Sequence, residues 1–480
     1  MEKESNQIAG NVIAQIIGRI VVLILALLTI KIITTYLGPD GTGYYNTVIT
    51  YLSFFITIAD FGLFSVGVRE ISKNPDKLGK ILGNIFTIRL ISALAAAIVA
   101  TGVAFLTNYP PEIKYGVAIA AIFLFFNLCG SVFDIFFQYK LEMKRVAVAE
   151  AASKFLAVVV VYITALFNLG FYWIVFSVSA AAIGGFIIKY IYASKQTRVA
   201  LYYDSKLINW IIKLSLPLGV VFIVNNFYFK VDTLILFYFK GAAEVGIYSV
   251  AYKILETTIF VAAFLAYSLK PMLSVNIESD RAKAGRAVTH GVTFLIFCAL
   301  TLAIMSVPFS KQMILFLSGS AFLGGAPVLI ILSFAVIFIY VNVLMGEIMI
   351  AKDLRRYLLW VSVIVLLFNI VANIILIPRY SYIAAAYTTL ACEMLLLVFG
   401  FSAARKIIPL SVDFWRITKL IFAATVSVGV AFLLKLNGLY FIFSIILSVG
   451  SYIILTYLIG AIPRNMVKGY LLSIKSKWTN

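Results

Sequence analysis

Apolar residues fall along this chain in long blocks, separated by short polar stretches. The blocks lie near residues 10–36, 41–66, 81–107, 113–139, 149–168, 171–194, 209–238, 245–274, 285–308, 325–351, 357–378, 381–404, 417–436 and 439–460. Most hold about 20 to 30 residues, enough for a helix to cross about 30 Å of hydrocarbon with some tilt. The pattern predicts an all-α polytopic membrane protein with about fourteen transmembrane helices, and an even number puts both termini on one side. The N-terminus "MEKESNQIAGNVIAQ" is polar, and the apolar run after it continues for a full span. Helix 1 is therefore expected to be both the insertion signal and a permanent part of the fold. The longest polar connections, around 195–208, 275–284 and 405–416, are too short to fold alone.

One connection carries a candidate motif. "YLGPDGTGYYN", Tyr36 to Asn46, packs three glycines, a proline and an aspartate between the first two blocks. A phosphate cradle needs its glycines to lead into a helix N-terminus, usually with Lys and Ser or Thr following. Here Tyr44 and Tyr45 follow instead, so the stretch reads as a tight hairpin with interfacial tyrosines. It has an echo in "YFKGAAEVGIYS", Tyr238 to Ser249, which joins helices 7 and 8. With a one-residue insertion Tyr36 meets Tyr238, Gly43 meets Gly246 and Tyr45 meets Tyr248. The offset is about 200 residues, or six helices. Six is even, so the halves insert in the same sense, as in transporters whose repeats share an axis along the membrane normal. The bland alternative is that any such turn favours Gly and Tyr.

Composition agrees with the blocks: 63% hydrophobic, 12% charged, mean hydropathy +1.04. Ordinary soluble domains carry about 25% charge. The net charge of +19 would suggest nucleic acid as a partner, but the position of the bases excludes it. Connections on the side of the termini hold about 27 Lys and Arg, among them Arg198 and the tail's Arg464, Lys468, Lys475 and Lys477. The other side holds about five: Lys114, Lys240, Lys311, Arg379 and Lys435. The positive-inside rule then puts both termini in the cytoplasm, with the cell membrane as the expected location. Cys129, Cys298 and Cys392 lie in apolar runs without metal spacing and read as small buried hydrophobes. The lone His290 reads as interfacial or hydrogen-bonded, so no metal site is expected.

Several stretches resemble one family. "YLGPDGTGYYN" looks like its first outer turn, and "ADFGLFSVGVREIS" (Ala59 to Ser72) like the end of its helix 2. "FQYKLEMKRVAVAEAASK" (Phe137 to Lys154) is similar to its link between helices 4 and 5. "SLPLGVVFIVNNFYFKVDTLILFYFKGAAEVGIYSVAYKI" (Ser215 to Ile254) resembles the opening of its second half, and "APVLIILSF" (Ala326 to Phe334) the start of its helix 10. The set resembles the polysaccharide-biosynthesis (Wzx-type) flippases of the multidrug/oligosaccharidyl-lipid/polysaccharide exporter superfamily. The resemblance implies two six-helix lobes around a central cavity, 1–200 and 201–406, with two further helices and a tail in 407–480. It also implies flipping of an oligosaccharide on a polyprenyl phosphate or pyrophosphate to the outer leaflet. A peptidoglycan-precursor flippase and a multidrug cation antiporter share the bundle and stand as alternatives. Expected partners are the anionic lipid-linked oligosaccharide, the bilayer, and polymerase or glycosyltransferases of the same pathway; the chain is expected to act as a monomer.

Ionisable residues inside spans cost at least a few kcal/mol on insertion scales, so they mark pathways or pairs. The bases are Arg19, Lys31, Arg89, Lys154, Lys230 and Lys253, candidates for a cationic, substrate-binding cavity surface that matches phosphate. The acids Asp60, Asp232, Glu256, Glu347 and Glu393 are candidates for coupling to Na⁺ or H⁺. Internal pairing is the competing explanation. Lys253 and Glu256 share a helix face, whereas Lys230 and Asp232 do not, so one of the latter needs a partner on another helix. Lys31 and Lys154 are placed to snorkel to the interface. Pro217 beside Gly219 gives helix 7 a place to bend. Nothing reads GxxxxGK[ST], and no large loop or paired-carboxylate domain is present. The expectation is a transporter and not an enzyme, with no catalytic residues and no cofactor beyond a coupling ion. A drug exporter should instead line its cavity with acids and aromatics.

Overall fold

A computed structural model describes residues 2–197, 200–411 and 413–461, with side chains from residue 18 onward. Arg198 and the basic tail lie outside the described residues. Among the described residues the chain is helical with no strands, as lipid requires of a span that must satisfy its own backbone. Twelve helical stretches are long and apolar enough to cross a membrane.

Two of these stretches are too long for one crossing. Helix α1, Glu2–Asp60, has 59 residues, about 90 Å at 1.5 Å per residue. It breaks at Gly38 (φ 65°, ψ −172°), and Pro39 follows. Gly18 packs against Ala147 early in α5 (Met143–Leu166), and the Tyr36 hydroxyl donates to Asn168 just past the end of α5. After the break the chain runs back: Tyr51 donates to the Ala100 carbonyl, and Gly67 of α2 (Leu63–Lys73) reaches Ile85 and Ile135. The first arm therefore runs beside α5 and the second returns. Helix α12, Arg355–Ile407, has 53 residues and a similar break at Ser381 (φ 51°, ψ −139°), three residues after Pro378. With both counted as hairpins, the twelve stretches give the fourteen crossings that the apolar blocks predict.

The chain divides into two compact units, Met1–Ser249 and Val250–Asn480. In the first, α4 (Pro111–Tyr139) lies at the centre, against α1, α3 (Leu78–Leu106) and α6 (Phe171–Ser194). Its small residues let neighbours in: Val48 seats against Gly116, and Ala120 is fully buried. Helix α7, Ser205–Lys240, starts at Asp204, whose carboxylate accepts from the N–H groups of Lys206 and Leu207 as a helix cap. It runs along the second arm of α1 and carries Pro217 internally. Helix α8, Ala242–Thr258, follows Gly241 and extends into the second unit.

In the second unit α10 (Arg281–Ser318) and α11 (Gly325–Ala351) form the core. Helix α9, Phe260–Ser279, packs on both, and α12 packs on α11. Helices α13 (Phe414–Leu436) and α14 (Phe441–Leu458) pair with each other and lie on α10, where Tyr452 stacks on Phe297 at 5.0 Å. Large apolar side chains stay exposed on the outside of both units, such as Leu106, Ile98, Phe155, Leu367 and Phe443. In water such a surface would aggregate; in hydrocarbon it is a matched solvent.

Candidate functional site

The candidate charges fall into exposed positions and packed pairs. In the first unit Arg19, Lys31 and Lys154 are exposed and Lys230 is half-buried. Arg89 is fully buried on α3, and its Nη2 donates to Asp60. Asp60 also accepts from the N–H of Gly62 (3.2 Å), which ties the pair to the break between α1 and α2. The other two guanidinium nitrogens of Arg89, Nε and Nη1, are buried with no hydrogen-bond partner among the described residues. A second pair, Lys189 on α6 with Asp134 on α4 (2.8 Å), is not among the predicted residues. Asp134 reads in the sequence as a group near a helix end, and nothing in its spacing points to Lys189.

Asp232 is buried on α7 and satisfied locally. Its carboxylate accepts from the Tyr248 hydroxyl (2.6 Å) and from the N–H of Thr233 (2.7 Å). The partner on another helix that its two-residue spacing from Lys230 demands is therefore Tyr248 of α8.

In the second unit Lys253 and Glu256 pair at 2.8 Å, as their spacing of three implies, and both are partly exposed. Glu347 faces Lys270 of α9 at 3.2 Å. Glu393, on the second arm of α12, is buried and accepts from Asn342 of α11 (2.8 Å). Next to it lies a polar cluster that charge-based reasoning misses. Asn373 donates to Asn369 (2.9 Å), Asn369 approaches Cys392 (3.6 Å), and Thr388 lies one turn before Cys392. The Oδ1 atoms of Asn342 and Asn373 and the Oγ1 of Thr388 are buried with no partner among the described residues. Its signal was present as Asn residues inside apolar blocks, "YVNVLMGE" and "FNIVANI". Among the described residues no group of three or more His, Cys, Asp or Glu could hold a metal ion. The three cysteines are free, and His290 is half-buried.

The two echoing turns meet inside the first unit. Gly241 has φ 84° and ψ −172°, nearly the backbone of Gly38. Each glycine ends one helix and starts the next. A Cβ built on Gly43 would overlap the Ala242 carbonyl, and one built on Gly246 would overlap the Pro39 carbonyl. Asn46 donates to the Ser249 hydroxyl at 2.9 Å. Residues 38, 39, 43 and 46 correspond to 241, 242, 246 and 249 at one constant offset. The contact is thus reciprocal, the signature of a two-fold axis.

Beside α3, the segment leading into α7 forms a strap. Asn84 accepts from the N–H of Asp204 (2.8 Å), Lys80 pairs with Asp204 (2.7 Å), and Thr87 donates to the Tyr202 carbonyl (2.8 Å). The Lys80 hydrogen bond, then the N–H of Leu207, hold the Asp204 carboxyl below the usual carboxylate range.

Fourteen crossings, two glycine turns of matching backbone and polar groups held inside the spans define a polytopic all-α membrane protein. The chain belongs to the polysaccharide biosynthesis protein family, whose model matches residues 8–277. A second family model, MatE, matches residues 217–375. Among curated proteins, the chain is similar to the capsular polysaccharide biosynthesis protein CapF of Staphylococcus aureus. They are 23% identical over 367 residues, which is 75% of this chain and 90% of CapF. It is also similar to the probable flippase AglR of Haloferax volcanii, 28% identical over 34% of this chain and 35% of that one. Among solved structures, the lipid II flippase MurJ in an inward closed conformation superposes with TM-score 0.77 at 15% identity, over 95% of this chain and 99% of that one. An inward-facing multidrug resistance MATE family transporter of the MOP superfamily superposes with TM-score 0.67 at 12% identity, over 82% and 98%. At these identities the likeness is one of fold.

Proposed function

We propose that this chain flips a lipid-linked oligosaccharide, carried on a polyprenyl phosphate or pyrophosphate, from the cytoplasmic to the outer leaflet of the cell membrane. The observation that carries the proposal is family membership joined to basic residues kept inside spans. A phosphate-bearing head group needs cations along its path, and the lipid tail can remain in the bilayer while the head group crosses. Arg19, Lys31, Lys154, Lys230 and Lys253 are the bases to consider first, because each is at least partly exposed whereas Arg89 is fully buried against Asp60. Several weak cationic contacts suit a carrier better than one tight site, since the ligand must leave again. The likeness to CapF supports a glycan pathway, in which a polymerase and glycosyltransferases would be the working partners.

Coupling to Na⁺ or H⁺ is part of the same proposal. Glu393 and the unpartnered amide and hydroxyl oxygens of Asn342, Asn373 and Thr388 supply hard oxygen donors in the membrane interior. Both termini are assigned to the cytoplasm by the distribution of Lys and Arg.

The test uses cells that lack their own exporter and receive this chain. Arg19, Lys230 and Lys253 are each replaced by Ala, and surface glycan is measured at matched protein level. At least two of the three variants should lose fivefold or more. Export equal to the parent by all three would remove the cationic path. No glycan export by the parent chain, with peptidoglycan-precursor flipping or drug export restored instead, would transfer the chain to another branch of the superfamily.

A further inference from the structure

The strap that leads into α7 has a counterpart within the second unit. A Cβ built on Gly83 of α3 would lie 2.5 Å from the Ala200 carbonyl oxygen, and one on Gly285 of α10 would lie 2.3 Å from the Pro409 carbonyl oxygen. One helical turn on, Thr87 donates to the Tyr202 carbonyl and Thr289 to the Ser411 carbonyl. Two residues further along each link, Asp204 caps α7 and Asp413 caps α13. Each unit thus lays a non-helical link across the first turns of a helix, fixed by a bare glycine, a threonine four residues later and a capping aspartate. The bare glycines let the link's backbone approach closely.

The frame is shared, but the chemistry mounted on it is not. In α3 the flanking positions are Lys80 and Asn84; the corresponding positions of α10 are Ala282 and Arg286. Asp204 reaches Lys80 on the neighbouring helix (2.7 Å), whereas Asp413 turns to Arg416 of its own helix (3.0 Å). Asn84 is engaged in the frame at both ends: its oxygen accepts from the N–H of Asp204, and its nitrogen donates to the Lys80 carbonyl. Between α3 and the first strap lies a cavity of about 540 Å³, lined by Lys80, Tyr202, Tyr203, Asp204, Ser205 and Lys206. Pockets that hold small molecules span about 300–1,000 Å³.

Depth and charge say what such a cavity takes. The apolar blocks of α3 and α7 begin near residues 81 and 209, so the cavity lies level with the lipid head groups, on the side that the Lys and Arg distribution assigns to the cytoplasm. The Asp204 carboxylate is compensated inside the frame by Lys80 and by the N–H groups of Lys206 and Leu207. An ammonium has three donors, and the pair with Asp204 engages one of those on Lys80. Lys206 is exposed on the rim and adds a further positive charge. Tyr203 is 76% exposed and Tyr202 49%, amphipathic rings of the kind that settle at head-group level. The cytoplasmic leaflet carries anionic lipids, which attract such bases.

We propose that this cavity binds the phosphate head group of an anionic glycerophospholipid, with Lys206 and Lys80 on the phosphate and Tyr203 against the glycerol, while the acyl chains stay in the bilayer. The site is independent of the cargo, so it stands or falls apart from the flippase reading.

The test strips the purified full chain of lipid in a non-ionic detergent, titrates it with phosphatidylglycerol, and counts retained lipid by native mass spectrometry. The parent should retain one copy at a concentration where Lys206→Gln with Tyr203→Ala retains tenfold less. Lys206→Arg should stay within twofold of the parent, and so should Lys419→Gln beside the second strap. If the double variant does not fold, Lys206→Gln alone is read, with a fivefold loss expected. Equal retention by parent and variant overturns the site. Equal loss in Lys419→Gln overturns it in favour of diffuse surface charge. Phosphatidylcholine retained as well as phosphatidylglycerol overturns the anionic requirement. Inorganic phosphate that displaces the lipid at equal concentration makes the cavity a free-phosphate site and overturns the lipid. A polyprenyl phosphate retained tenfold more tightly, and lost in the same variants, makes it a cargo site and overturns the proposal as well.

Discussion

At the scale of single residues, Arg89 and Asp204 show how packing decides what a charge does. Arg89 is fully buried, and its chief partner Asp60 stands 29 residues away. Asp60 is partly exposed, so removing Arg89 strands a half-solvated carboxylate and costs less than the ~3 kcal/mol of a fully buried pair. Arg89→Ala should therefore lower the melting temperature in detergent, and Asp60→Ala added to it should cost less than the sum of the single changes. Thermal unfolding of the three variants measures this. Asp204 acts in the opposite setting, at the surface. Its folded carboxyl is held below its unfolded range by Lys80 and the N-terminal N–H groups of α7, so the stability it contributes is present above about pH 4. That stability is lost as pH falls through the lower folded value. The melting temperatures of the parent and Asp204→Asn should differ at pH 7, and the difference should shrink as pH falls below about 4. The sequence shows only one of these pairings, Lys253 with Glu256, because a spacing of three fixes a shared helix face. Arg89 with Asp60, and Lys189 with Asp134, join different helices, and helical spacing carries no information about which helices touch.

At the scale of elements, the breaks matter more than the helices. The break after Asp60 puts Gly62 at φ 84°, against the Gly219 amide and the Ser215 carbonyl of α7, both 3.1 Å from its Cβ position. On the other side, a Cβ on Gly219 would lie 2.7 Å from the Phe61 carbonyl. Gly62→Ala meets a left-handed penalty of about 1 kcal/mol besides the crowding. Both Gly62→Ala and Gly219→Ala should lower the melting temperature. Gly79→Ala and Gly102→Ala in α3 have open space around them and should raise it slightly, since alanine is the better helix former by about 0.5–1 kcal/mol. Circular dichroism on the four variants separates the two groups. Span positions were legible beforehand because hydrocarbon enforces long apolar runs. The division of α8 from α9 at Ile259 was not, since it falls inside an apolar run with no turn signal of its own.

At the scale of the whole chain, fourteen crossings joined by short connections leave no soluble domain among the described residues to carry out recognition. Selectivity for cargo must then arise from side chains within the spans and at their rims. The fourteen-crossing plan came from block lengths, and the likeness of the two glycine turns from their shared Gly and Tyr positions. The polar cluster around Glu393 was hidden because neutral Asn and Thr do not stand out from an apolar block as charges do. Orientation gives a direct prediction. A reporter active only outside the cytoplasm should work when fused after Asp40, in the turn that opens the second arm of α1, and fail when fused after Lys77. The opposite result would invert the assignment of both termini.

The reciprocal contact of Gly43 and Gly246 also has an evolutionary consequence. Most positions of a membrane-spanning chain can change without answering to any one distant residue. These two cannot, because each sets the room available to the other's helix. A larger residue at one must be accommodated by a shift in its counterpart's backbone, so selection at one codon reaches the other. Across relatives the two positions should stay small together or change together, because one packing constraint acts on both.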